Sequence, residues 1–202
     1  MEKTGAVHEG LGDPLPPDCH VLEIHLGELE QLFNAIDPAP FRERDLDPKA
    51  EEFIVGWARE LRSEGPMALV VSMDRHTGTP EDAAMLKDAI REFFKERATV
   101  TRRRLRQLFR LGRTSLMIGL VFLAASIFVG DVLASALRDT RFGGMARESL
   151  LIGGWVAMWR PLEIFLYDWW PIGAEARLFD RLSAMAVRIV PAGVNRPTAG
   201  TP

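Results

Sequence analysis

Ionisable side chains inside apolar stretches are the first place to look for chemistry, and this chain has four: Asp131, Arg160, Glu163 and Asp168. A charge at the centre of a bilayer helix costs roughly 2.5–3.5 kcal/mol. Such residues therefore pair with one another or form the steps of a proton or ion pathway. Arg160 and Glu163 are three apart and share a helix face. Folding the chain back at Gly143 and Gly144 would bring Asp131 level with Trp155. Arg160 would then lie about 7.5 Å further along, at 1.5 Å per residue, within reach of a long side chain. The expectation is a structural ion pair, Asp131 with Arg160, that locks two helices together. A proton or ion path is the competing reading, and placement of the charges at the membrane surface is the third.

Other candidates are weaker. Asp74 and His76, in MDRHTGTPED, follow an expected strand at the end where α/β folds bind ligands. His20 and His25 could approach them, but the spacing is no metal motif, and a solvated loop is expected. The loop DPAPFRERDLD carries Asp37, Arg42, Glu43, Arg44, Asp45 and Asp47. Paired carboxylates do acid–base work only in a cleft that separates their pKa values, so helix capping and surface ion pairing are expected here. Cys19 is alone, which excludes an intrachain disulfide and argues against a cysteine zinc site. GxGxxG, Walker, GxSxG and HExxH motifs are absent from the sequence. No catalytic residue, metal site or cofactor is expected.

The run RRRLRQLFRLGR supplies Arg102, Arg103, Arg104, Arg106, Arg110 and Arg113. A net charge of −3 gives no argument for nucleic acid, and no stacking aromatics or known module accompany the run. Lying directly before an apolar stretch, it reads as a topology signal and as an anionic-lipid flank. Attraction to anionic lipid is worth roughly 1 kcal/mol per basic residue near the surface.

The elements that must position these residues fall into two halves. From Thr114 to Leu137 the chain reads TSLMIGLVFLAASIFVGDVLASAL, long enough to span a bilayer. A second stretch, Ser149 to Pro171, is expected to span with a kink at Pro161. The alternative is a shorter helix followed by an interfacial segment, with Trp159, Tyr167, Trp169 and Trp170 at headgroup level. Ser126, Gly130 and Ala134 form a row of small residues at helical spacing, and Gly153 and Ala157 form another. Such rows favour close helix approach in lipid and suggest self-association. The arginine flank places the N-terminus in the cytoplasm, and a second crossing returns the C-terminus there.

Before the arginines, residues 20–79 read as a small α/β head. VLEIHL alternates like a half-buried strand, and MALVVSM reads as a buried one. Between them lies a helix with Asp47 as N-cap and Pro48 in first position. A parallel β-α-β unit follows. Two strands make a thin core, so another subunit is expected to complete the sheet. A second helix starts at Thr79-Pro80-Glu81-Asp82 and runs through residues 80–113, either as a coiled-coil stalk or packed on the head. Residues 173–192 read as an interfacial amphipathic helix, with Leu178, Leu182, Met185 and Ile189 on one face. Residues 1–19 lack the apolar core of a signal peptide and are expected to be disordered, as are residues 193–202.

The stretches LFNAIDPAPFRERDLD and ESLLIGGWVAMWRPLEIFLYDWWPI resemble segments of uncharacterised bacterial inner-membrane proteins, over most of residues 20–172. The resemblance implies a bacterial inner membrane and attaches no activity, cofactor or partner. The fold class expected is α+β: a small cytosolic head joined by a long basic helix to a two-pass transmembrane helical hairpin comprising residues 114–172. The expected function is that of a membrane-anchored interaction or scaffold protein, non-enzymatic and homo-oligomeric. Its expected partners are anionic lipids, further copies of itself and an unidentified protein. The alternatives are a small transporter or channel component using the intramembrane charges, and a membrane-tethered enzyme.

Overall fold

The computed structural model describes residues 10–34, 37, 44–61, 65–73, 79–136 and 141–191. In chain order the elements are β1 (Leu11–Gly12), β2 (His20–Leu26), a 3-10 turn (Leu29–Leu32), α1 (Pro48–Glu60), β3 (Met67–Met73), α2 (Pro80–Ala136), α3 (Arg141–Glu163), a π turn (Ile164–Asp168), α4 (Trp169–Ser183) and β4 (Ala186–Pro191). The architecture is mixed, with a four-stranded sheet and a 57-residue helix, α2. The chain divides into two compact units, residues 1–99 with 177–202, and residues 100–176.

In the first unit the sheet order is β1-β4-β3-β2. β2 and β3 pair in parallel from His20 opposite Met67 to Leu26 opposite Met73, which is the expected β-α-β crossover. β3 also pairs in parallel with β4, and β1 is antiparallel to β4 at the far edge. Right-handed crossovers that step the same way across a sheet put both sets of connecting helices on one face. The core accordingly joins Leu22, Leu69, Val71, Val187 and Ile189 of the sheet to Ile54 and Ala58 of α1, to Leu86, Ile90 and Phe94 of α2, and to Phe179 and Leu182 of α4. Of the two readings of residues 80–113, packing on the α/β core holds for the first turns of α2.

The helix starts form as their sequences dictate. The Asp47 carboxylate accepts from the Lys49 N–H at 2.9 Å, with Pro48 as the first helical residue. Thr79 and Asp82 exchange bonds of 2.9 and 3.1 Å in a capping box.

Three expectations for this unit are corrected. The sheet has four strands from the chain itself, β4 and β1 adding to the expected two. β4 occupies Ala186–Pro191, where an interfacial helix was expected to continue to residue 192. Leu182, Met185 and Ile189 are buried in the α/β core instead of facing lipid. Their spacing fits a helix face, but AVRIVP is rich in β-branched residues, and pairing to β3 decides in favour of the strand. Third, residues 10–19 do not belong to a disordered lead-in. Gly12 adopts φ +124°, and a Cβ there would lie 2.5 Å from the Val187 carbonyl oxygen, so glycine lets β1 close against β4.

Among the described residues two helical runs are long and apolar enough to cross a membrane: α2, and the continuous run from Phe142 to Ser183. The expected turn at Gly143 and Gly144 lies inside α3, which starts at Arg141. Pro161 sits within α3. It has no N–H to offer the Ala157 carbonyl four residues back, and the helix widens to π spacing over Ile164–Asp168 within a turn. The Trp169 indole N–H donates to the Phe165 carbonyl at 2.9 Å, satisfying an acceptor in the disturbed segment. The chain continues as a helix through Pro161, so the proline disturbs the run without ending it.

Candidate functional site

The apolar helices of the second unit pack through small residues. A Cβ on Gly112 would meet Ile164, one on Gly119 would meet Met158 and the Ala157 carbonyl, and one on Gly130 would meet Arg147. From α3, a Cβ on Gly154 would meet Leu123 and Ser126. As the number rises along α2 it falls along α3, so the two run antiparallel. Gly112, Gly119 and Ser126 recur every seven residues on α2, and Gly154 and Pro161 do so on α3, all of them buried. A seven-residue repeat keeps one seam facing the partner helix, and small residues let the backbones close on it. The Ala157 carbonyl, deprived of its donor by Pro161, lies where Gly119 offers no side chain.

Of the predicted row Ser126, Gly130 and Ala134, the first two therefore face the chain's own α3. In the second row Gly154, rather than Gly153, is the contact residue. Among the described residues nothing lies within 4 Å of a Cβ on Gly153.

The four singled-out charges do not form one network. Asp131 accepts from Arg147 Nε at 2.8 Å. Arg160 donates to Glu163 at 2.8 Å and reaches Asp168 at 3.4 Å. The expected Asp131–Arg160 pair is corrected for a simple reason. α2 ends at Ala136 and α3 already starts at Arg141, before Gly143, a register that brings Arg147 opposite Asp131. Consequently Asp131 pairs with Arg147 near one end of the paired helices, and Arg160 pairs with Glu163 and Asp168 near the other, about one turn inside the level of Arg113. Eighteen residues separate Arg113 from Asp131, about 27 Å of helix at 1.5 Å per residue.

Between those ends the outward side chains are apolar and exposed. They include Ile118, Val121, Phe122 and Phe128 of α2 and Ile152, Trp155, Val156 and Trp159 of α3, with Phe128 and Trp159 each 70% exposed. Only 17% and 22% of the most apolar stretches of the two helical runs are buried, which is the reverse of a soluble core helix. Tyr167 and Trp170 are exposed beyond Glu163.

Four of the six flanking arginines, Arg103, Arg106, Arg110 and Arg113, line a cleft of about 660 Å³ with Gln107, Phe109 and Phe165. Arg102 and Arg104 do not line it. Their successive spacings of three, four and three residues align the four along one face of α2. Phe109 and Phe165 stack with centroids 6.2 Å apart, and Trp169 lies 6.3 Å from Phe109.

A second cleft, in the α/β unit, was not legible in the sequence because distant segments assemble it. It encloses about 500 Å³ beside Asp13, Gly65, Met67, Lys87, Arg91, Arg181 and Ala186. Lys87 is paired with Asp13, and Arg181 donates to the Gly65 carbonyl at 3.1 Å. This cleft sits where β3 and β4 begin, at the opposite end from the strand C-termini that hold ligands in open α/β sheets.

The remaining candidates add little. Asp74 and His76 lie outside the described residues, as do Arg42 and Glu43. His20 and His25 are at opposite ends of β2, about 16 Å apart at 3.3 Å per residue, and cannot share a ligand. Among the described residues no three His, Cys, Asp or Glu side chains are grouped to hold a metal ion. The Asp37 carboxylate accepts from the Asp45 N–H at 2.8 Å, a structural use of one loop carboxylate.

Comparison with protein-family models, with curated proteins and with solved structures gives no match, so the functional reading rests on the chain's own residues.

The ion pairs lead to a direct test. In a double-mutant cycle on thermal stability in detergent, Asp131→Ala and Arg147→Ala should couple by about 0.2–1 kcal/mol, as exposed pairs do. Asp131→Ala and Arg160→Ala should be additive. Coupling of Asp131 to Arg160 instead would show that the helices are shifted relative to this register.

Proposed function

We propose that the protein is a membrane-anchored interaction protein, with α2 and α3 crossing the cell inner membrane as a pair and the α/β unit on the cytoplasmic side. The observation that carries this reading is the exposed apolar surface of both helices, framed at its two ends by ion-paired charges. Counted on α2 from Arg113 to Asp131, the belt is about 27 Å, close to a hydrocarbon core of about 30 Å, in which exposed Phe, Ile and Trp side chains are stable. Arg160, about one turn inside the Arg113 end, is near enough for its long side chain to reach the interface. The arginine face and the exposed Tyr167 and Trp170 fall together at one end, as expected of a cytoplasmic interface.

The α/β unit supplies the interaction role in this reading. β2 is an edge strand, and Val21, Glu23 and His25 are exposed on the sheet face away from the helices. Sheet edges of this kind accept added strands from partners. A transport role has less behind it, because the charges pair at the ends of the apolar belt instead of lining its middle. Self-association is not part of the proposal. The thin sheet gains strands from the chain itself and Ser126 and Gly130 pack on its own α3, while Gly153 of the second row faces open space among the described residues.

Alkaline carbonate extraction combined with reporter fusions tests this reading. The protein should remain in the membrane pellet, with reporters cytoplasmic before Arg102, non-cytoplasmic between α2 and α3, and cytoplasmic after Pro191. Release into the supernatant would overturn the membrane assignment. A non-cytoplasmic reading at the last position would remove the second crossing. After mild detergent extraction a scaffold copurifies with a stoichiometric partner; flux that disappears in a folded Asp131→Asn variant would instead favour transport.

A further inference from the structure

The arginine flank holds more order than a topology signal needs. Positive-inside bias is served by any arrangement of cations near the end of a span. Here four of the six converge on one cleft with two stacked phenylalanines, and among the described residues no carboxylate lines it. Like charges gathered this way repel unless an anion sits among them.

The chemistry of the lining selects the anion. Guanidinium groups bind phosphate oxygens through paired, charge-assisted hydrogen bonds, which an ammonium cannot reproduce. Phe109 and Phe165 add an apolar wall beside the cations, of no use to a free inorganic ion but suited to the glycerol and upper acyl chain of a lipid. Arg113 adjoins the apolar stretch, and Arg103 lies ten residues earlier, about 15 Å further out along the helix. A ligand in the cleft thus meets apolar surface at one end and a ladder of cations beyond it.

We propose that Arg103, Arg106, Arg110 and Arg113, with Phe109 and Phe165, form a discrete site for the phosphate headgroup of an anionic phospholipid. The site rests on the membrane reading given above, and it distinguishes these four arginines from Arg102 and Arg104, which share only the general attraction to anionic lipid.

The test is phosphatidylglycerol binding to the full-length, detergent-purified protein, read by native mass spectrometry, with phosphatidylcholine as the neutral comparison. One phosphatidylglycerol per chain should bind in preference to phosphatidylcholine. Arg106→Gln with Arg110→Gln should weaken it about tenfold or more, as expected for losing charge-assisted hydrogen bonds. Arg102→Gln with Arg104→Gln removes the same charge and should change binding less than about twofold. Phe165→Ala should weaken binding without altering charge. Equal losses for the two arginine pairs would overturn the site and leave only a diffuse field. Displacement by inorganic phosphate at the same concentration as the lipid would also overturn it. Should the glutamine pair fail to fold, Arg106→Lys with Arg110→Lys keeps the charge but not the bidentate geometry, and wild-type binding by that variant would count against the proposal. Carbonate extraction of every variant reports on membrane insertion separately: a failed site in a protein still held in the pellet leaves the membrane reading standing.

Discussion

Replacing Gly154 by leucine is expected to part the two apolar helices, while the same replacement one residue earlier, at Gly153, should leave them together. A Cβ on Gly154 would stand 2.6 Å from Leu123 Cδ1 and 3.3 Å from Leu123 Cα, and the second of these is backbone that cannot swing aside. Gly153 points into open space among the described residues. Both positions are in the same helix, so the gain in helix propensity, up to about 1 kcal/mol over glycine, is common to the two variants. The difference between them isolates the contact. Overpacking a tight interface costs about 1–3 kcal/mol, and for a side chain as long as leucine the helices must separate along the seam. Thermal unfolding of the detergent-solubilised protein measures the effect, with a fall in midpoint expected for Gly154→Leu alone. Equal midpoints for the two variants would mean that the seam described here does not form.

Ile189→Ala is expected to destabilise the α/β unit by about 2–5 kcal/mol, the range for emptying a fully buried site. Ile189 is completely buried, and its strand neighbour Val71 is equally so. Hydrogen exchange offers a local readout. Amides of β3 that bond to β4 should lose protection in the variant, while amides in the apolar part of α2 should keep theirs. The competing picture, in which residues 173–192 lie as a helix in the headgroups, makes the opposite forecast. There Ile189→Ala would weaken membrane contact only and leave β3 protected. Protection of Leu69–Val71 unchanged in Ile189→Ala would therefore remove β4 from the sheet.

What the sequence by itself determined are features decided over a few residues or by one long run of composition. Asp47-Pro48 and Thr79 with Asp82 set helix starts because a side-chain oxygen three residues or fewer from an unpaired N–H finds it in almost any context. The alternation of VLEIHL and the apolar run MALVVSM define strands, and 24 residues from Thr114 to Leu137 with one charge define a helix fit for a membrane. The tertiary structure decided wherever two local readings are nearly equal in energy. Met185 and Ile189 satisfy a helical face as well as an alternating strand, and only the open edge of β3 selects the strand. Arg147, in a glycine-bearing stretch that reads as a loop, becomes the partner of Asp131 because α3 begins before Gly143. Of two adjacent glycines, rotation of the helix about its axis settles that Gly154 meets Leu123. The rotation of α2 likewise turns Arg103, Arg106, Arg110 and Arg113 into one cleft lining and leaves Arg102 and Arg104 outside it. Register and rotation are long-range quantities: a slip of a few residues alters no local propensity, yet it exchanges every contact across the seam.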